Sequence, residues 1–164
     1  MSIKQPILII FLILNFFISS AQWVNCNGPN GAEITCVGVK GNLILAACST
    51  GYSSSWGQLY RSTDLGETWG DVVCSNGYEY TDIAIMDSIA FFSTSNNRVF
   101  RSLDSGLTWT VSLFVSSANN NTFLTIVGNQ LFAAGAFGVY RTTDGGVTWT
   151  NASSGLPAQT VLDL

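Results

Sequence analysis

The chain has 164 residues, with six basic and ten acidic side chains, no histidine and a net charge of −4. That balance argues against nucleic acid and anionic membranes as partners, since both need clustered Lys and Arg. The missing histidine removes His-based acid–base catalysis, Ser-His-Asp triads and His-ligated zinc.

The N-terminus carries Lys4, an apolar run from Ile7 to Ile18 broken only by Asn15, and then Ser19-Ser20-Ala21. A basic start, a core of about a dozen apolar residues and small residues before the cut predict a secretory signal peptide over 1–21. The run is shorter than the roughly 20 residues a bilayer span needs. The expected product is exported (secreted, periplasmic or at the cell surface), with no membrane span after cleavage. Residues 22–32 form a lead-in and 33–164 one domain by length. Four cysteines in an exported chain permit disulfides. Cys36 and Cys48 flank the Gly41-Asn42 turn, so a cross-strand bridge and a pair of buried thiols are both open readings.

From Glu33 onward one pattern recurs every forty-odd residues. A β-type run (34–39, 81–86, 122–127) leads into a tight turn at Gly41-Asn42, Asp87-Ser88 or Gly128-Asn129. A second run follows (43–47, 89–92, 131–134), then a third ending in an aromatic (58–60, 98–100, 138–140). Next come the boxes RSTDLGETW, RSLDSGLTW and RTTDGGVTW, starting at Arg61, Arg101 and Arg141. A fourth run closes each unit (68–73, 108–115, 148–150). β-branched and aromatic residues dominate these runs, and none shows a helical period. Four antiparallel strands per unit predict an all-β chain of propeller blades at about 33–75, 79–116 and 121–153, with a fourth starting over 158–164. A β-sandwich would also have short strands, but gives no reason for a constant-interval signature.

Inside the box, Asp64, Asp104 and Asp144 stand at the first bend after a strand, where a carboxylate accepts backbone N–H groups of the turn. Gly66, Gly106 and Gly146 follow two residues later, where a left-handed backbone costs other residues about 1–2 kcal/mol. Thr68, Thr108 and Thr148 supply further hydroxyls, and Trp69, Trp109 and Trp149 offer a large apolar surface at the start of the next strand. The box reads as a fastener for a hairpin.

The pattern S/T-x-D-x-G-x-T-W resembles the Asp-box, or BNR repeat, of sialidase-type, sortilin-like, xyloglucanase and photosystem II assembly-factor-like propellers. The resemblance runs from about residue 33 to the end. It implies that the box is a structural turn between the third and fourth strands of a blade, away from the ligand-binding face.

A sialidase-like site, as that resemblance implies it, would need an arginine triad and a Tyr nucleophile. Arg61, Arg101 and Arg141 occupy equivalent box positions and only Arg98 lies elsewhere after the leader, so no triad is assembled and no catalytic residue is assigned. Outside the boxes the acids are Glu33, Asp71, Glu79, Asp82, Asp87 and Asp163. Asp82 stands out because its counterparts are Cys36 and Phe123. It is a candidate ligand-binding carboxylate facing the central channel, or a strand-start residue bonding a neighbouring backbone. Trp56, in a loop the other units lack, is a candidate sugar-stacking residue or a cover for its own blade. No metal or cofactor is expected, because one Asp per turn falls short of the six or more oxygens calcium takes. The resulting expectation is a binding or scaffold module for protein or glycan, with remaining blades supplied by a longer chain. The alternative is a glycoside hydrolase whose catalytic residues lie mostly outside these residues.

Overall fold

A computed structural model describes residues 33–49, 57–72, 79–115 and 121–156. The leader, the lead-in 22–32, Trp56 and the expected fourth-blade strand over 158–164 lie outside the described residues. The described chain is all-β. The first sheet contains β1 (Glu33–Lys40), β2 (Leu43–Ser49), β3 (Gln58–Ser62) and β4 (Gly70–Val72). The second contains β5 (Tyr80–Met86), β6 (Ile89–Thr94), β7 (Arg98–Ser102) and β8 (Thr110–Phe114). The third contains β9 (Phe123–Val127), β10 (Gln130–Gly135), β11 (Gly138–Thr142) and β12 (Thr150–Asn151). In each sheet the strands lie side by side in chain order, every neighbouring pair antiparallel.

The first two strands of every sheet meet through the expected two-residue turns: Lys40 pairs with Leu43, Met86 with Ile89 and Val127 with Gln130. Gly41, Asp87 and Gly128 take left-handed φ values of 57°, 55° and 61°, as such a turn requires. The fourth strands begin later than the sequence suggests. Trp69, Trp109 and Trp149 precede β4, β8 and β12 and belong to the turn, where the Trp69 and Trp109 indoles donate to carbonyls of the turn itself.

The middle sheet is apolar on both faces, which explains its near-continuous Ile-Ala-Ile-Met and Ile-Ala-Phe-Phe runs. Ile83, Ile85, Phe92 and Phe100 pack toward Leu45, Ala47 and Leu59 of the first sheet. Ala84, Met86, Phe91 and Val99 pack toward Leu124 and Leu131 of the third. Phe92 anchors the first junction: it stacks on Phe100 at 4.7 Å and meets Trp109 at 4.6 Å and Tyr80 at 5.0 Å. Burying each such side chain stabilises by about 1.5–3 kcal/mol. β1 packs against β5, and β5 against β9, so the first strands lie innermost and the box-led fourth strands lie outermost. At the inner edge a Cβ added to Gly38 would collide with the Ile83 side chain, so glycine permits that approach. Sheets stacked face to face, with first strands inside and last strands outside, are the blades of a β-propeller.

Candidate functional site: the box turns and the inner strands

The three box turns share one hydrogen-bond scheme. In the second blade the Ser102 hydroxyl donates to Asp104 Oδ1 at 2.6 Å and accepts the Gly106 N–H at 2.8 Å. The Thr108 N–H and hydroxyl donate to the two Asp104 oxygens at 2.9 and 2.6 Å. Asp64 and Asp144 are held in the same way by Ser62 and Thr68, and by Thr142 and Thr148. Donors crowded on a carboxylate favour its charged form. Asp64 is held down to about 2, chiefly by the Thr68 hydroxyl and N–H and then by Ser62. The Ser102 and Thr108 hydroxyls push Asp104 lower still, and the Thr148 hydroxyl and N–H do so for Asp144. Gly66, Gly106 and Gly146 adopt φ of 90°, 90° and 80°, as expected from their spacing. The residue before each is left-handed too (Leu65 at 61°, Ser105 at 57°, Gly145 at 67°), and in the first two boxes that residue type gives no sign of it.

The box arginines tie blades together. Arg61 Nε of the first blade donates to the Ser105 carbonyl in the second blade's box at 2.7 Å. Arg101 Nη1 repeats this to the Gly145 carbonyl of the third at 3.3 Å. Arg98, outside the boxes, lies over the Phe114 ring at 5.0 Å. The tryptophans close their turns by two routes. Trp69 and Trp109 donate directly to the Gly66 and Gly106 carbonyls, both at 3.1 Å. Trp149 instead donates to the Ser112 hydroxyl at 3.0 Å, which donates onward to the Gly146 carbonyl at 2.6 Å. Ser112 thus wedges the second blade into the turn of the third, where the corresponding residue of the first blade is Val72.

Asp82 sits at the inner edge. A β-bulge at Thr81 shifts the register so that Asp82 pairs with Ser93, and such a bulge re-aims the side chain. Its Oδ1 accepts the Ile83 N–H at 2.8 Å, and its Oδ2 accepts the Leu124 N–H of the third blade, also at 2.8 Å. Beside it the Thr81 and Ser93 hydroxyls donate to the Thr122 carbonyl at 2.7 and 2.6 Å. This polar clamp joins the inner ends of the second and third blades. Glu33, Asp71, Glu79 and Asp87 are exposed, and Asp163 lies outside the described residues.

Cys36 and Cys48 are free thiols, so the bridge held open from the sequence is not formed. The bulge at Thr35 sets Cys36 opposite Ala47 and leaves Cys48 opposite Ile34. Burial pushes the Cys36 thiol up to about 12, the Thr35 hydroxyl opposes this, and the nearby Asp82 charge adds to it. Burial likewise raises Cys48, whose thiol donates to the Gln58 carbonyl.

Between the first and second blades an open groove of about 290 Å³ is lined by Arg61, Thr63, Thr68, Trp69, Asp71 and Leu107, among others. No group of three or more His, Cys, Asp or Glu among the described residues has the geometry of a metal site. No helix among them is long and apolar enough to cross a membrane.

No protein-family model matches the chain, and no curated protein does. Solved structures resemble it closely in fold. One is a GH74 enzyme from Niastella koreensis, 19% identical, covering 74% of this chain and 22% of that one at a TM-score of 0.59. Another is YCF48 from Cyanidioschyzon merolae, 18% identical, covering 76% and 38% at a TM-score of 0.58. A third is YCF48 bound to a D1 peptide, 16% identical, covering 73% and 40% at a TM-score of 0.58. The chain therefore spans about a fifth to two-fifths of the length of these proteins. At such identities the likeness is one of fold, and that fold is the β-propeller.

Proposed function

We propose that the chain is a set of Asp-box propeller blades from an exported protein, serving as a rigid module that binds protein or glycan. One observation carries this reading: the three box carboxylates, two of the three box arginines and Asp82 are spent on the scaffold. The three box carboxylates hold their own turns, Arg61 and Arg101 hold the next blade, and Asp82 joins the second blade to the third. The D1 peptide bound to YCF48 is a precedent, on the same fold, for a peptide as ligand. The GH74 neighbours supply the competing reading, a glycosidase. Purified protein should retain ligands on an array of immobilised glycans and extended peptides. It should release no fluorophore from a fluorogenic sialoside and no reducing ends from xyloglucan. Hydrolysis of either substrate, or an array with no retained ligand, would overturn the proposal.

A further inference from the structure

The second blade is packed on both faces, by the first blade and by the third. Propeller blades join through their sheet faces, so no further blade reaches its outer edge strand, β8. Among the described residues no strand pairs with the outer side of β8. Such an edge presents a row of N–H and C=O groups suited to one more extended chain, and proteins commonly blunt it with short strands or charges. The other two blades do so: β4 is three residues long and carries Asp71, and β12 is two residues long. β8 has five residues, Thr110–Phe114, with no charge and no proline.

A bulge shapes that edge. Val111 pairs with Phe100 and Leu113 with Val99, which leaves Ser112 as the extra residue. Ser112 turns into the third blade, where its hydroxyl donates to the Gly146 carbonyl at 2.6 Å. The pairing resumes with Phe114 opposite Arg98. Arg98 and Phe100 stand two apart on β7 and so share a face. Their partners Val111 and Phe114 therefore share it too, although without the bulge they would point to opposite faces. Both are exposed, at 54% and 56%. At the position of Val111 the first and third blades have Asp71 and Asn151. The Arg98 guanidinium lies 5.0 Å over the Phe114 ring. Neither β7 nor β8 carries an acidic residue, so this flank is positive on a chain whose net charge is −4.

We propose, resting on the protein-binding reading above, that β8 takes an extended peptide as a fifth strand of the second blade. Main-chain hydrogen bonds to the β8 edge hold the peptide, and side chains at alternate positions give the specificity. An apolar side chain covers Val111 and Phe114. An acidic one, two positions along on the same face, meets Arg98, and this charge complementarity selects the partner. The site is on the rim, apart from the box turns and the inner strands.

Short immobilised peptides with apolar and acidic side chains at alternate positions probe the edge. They should retain the full purified chain, and peptides with lysine in place of the acid should retain it less. Arg98→Gln should erase that preference. Val111→Asp gives the second blade the residue that the first has there, and should weaken retention at least about tenfold, as should methylation of the peptide's amide nitrogens. Val111 is exposed, and unchanged far-UV circular dichroism shows that the variant folds. No preference for the acid, or retention indifferent to Val111→Asp or to amide methylation, would overturn the proposal. So would a dimer in sedimentation equilibrium that Val111→Asp splits, since a second copy would then take the edge. Retention of glycans alone would overturn this ligand and leave the module's wider binding role standing, whereas an array with no retained ligand would overturn both.

Discussion

Ser112 offers a test of whether the two blade junctions are interchangeable. Its hydroxyl accepts the Trp149 indole N–H at 3.0 Å and donates to the Gly146 carbonyl at 2.6 Å. Ser112→Ala removes both bonds and leaves a half-buried donor and a carbonyl facing each other across a gap. At roughly 0.5–1.5 kcal/mol net per bond, the loss is about 1–3 kcal/mol. Ser112→Val is different, because Val72 already fills that place at the first junction, where Trp109 reaches the Gly106 carbonyl directly at 3.1 Å. The valine variant should let Trp149 bond to the Gly146 carbonyl itself and cost less than about 1 kcal/mol, the range of a single hydrogen bond. Urea denaturation followed by tryptophan fluorescence measures both, with an unchanged m-value confirming that stability alone has moved. If valine proves as damaging as alanine, the junctions are not equivalent and the reasoning fails.

Other consequences follow from the same contacts. Asp82→Ala should cost about 1–3 kcal/mol in urea unfolding by orphaning the Ile83 and Leu124 N–H groups, and Asp82→Asn, which keeps one carbonyl oxygen, should cost less. The box carboxylates are depressed in the folded state, so their stabilisation is complete above the ordinary value near 3.8 and is lost as pH falls toward about 2 and below. Circular dichroism against pH should show no loss from this source between neutrality and about pH 5, and acid unfolding below about pH 4. Cys36 and Cys48, both raised by burial, should resist iodoacetamide at neutral pH in the folded protein and react after denaturation, read by mass spectrometry. Peptide mapping without reductant should show no Cys36–Cys48 disulfide, since no bridge joins them.

What the sequence made legible is what is local. The Gly-Asn and Asp-Ser turns, the bend-sealing Asp and the left-handed Gly of each box are dictated by residue type within a few positions, and they stand where the spacing put them. Contacts whose partner is backbone were hidden. The Arg61 acceptor is a carbonyl forty-four residues away, and a carbonyl leaves no mark in a sequence. Only the regular recurrence of the arginine hinted at a shared role. The bulges at Thr35 and Thr81 were equally unreadable. One separates Cys36 from Cys48, and the other turns Asp82 toward Leu124. Ser112 carried no signal at all, because its counterparts Val72 and Ala152 are apolar.

Amide hydrogen exchange by NMR tests the central claim that the repeated boxes are structural clasps. The Thr68, Thr108 and Thr148 N–H groups lie on the surface, yet each donates at 2.9 Å to its Asp carboxylate. They should exchange as slowly as the strand amides around them, and each should speed up when its own Asp is replaced by Ala. Exchange at the rate of an unstructured loop in the unaltered protein would contradict the account.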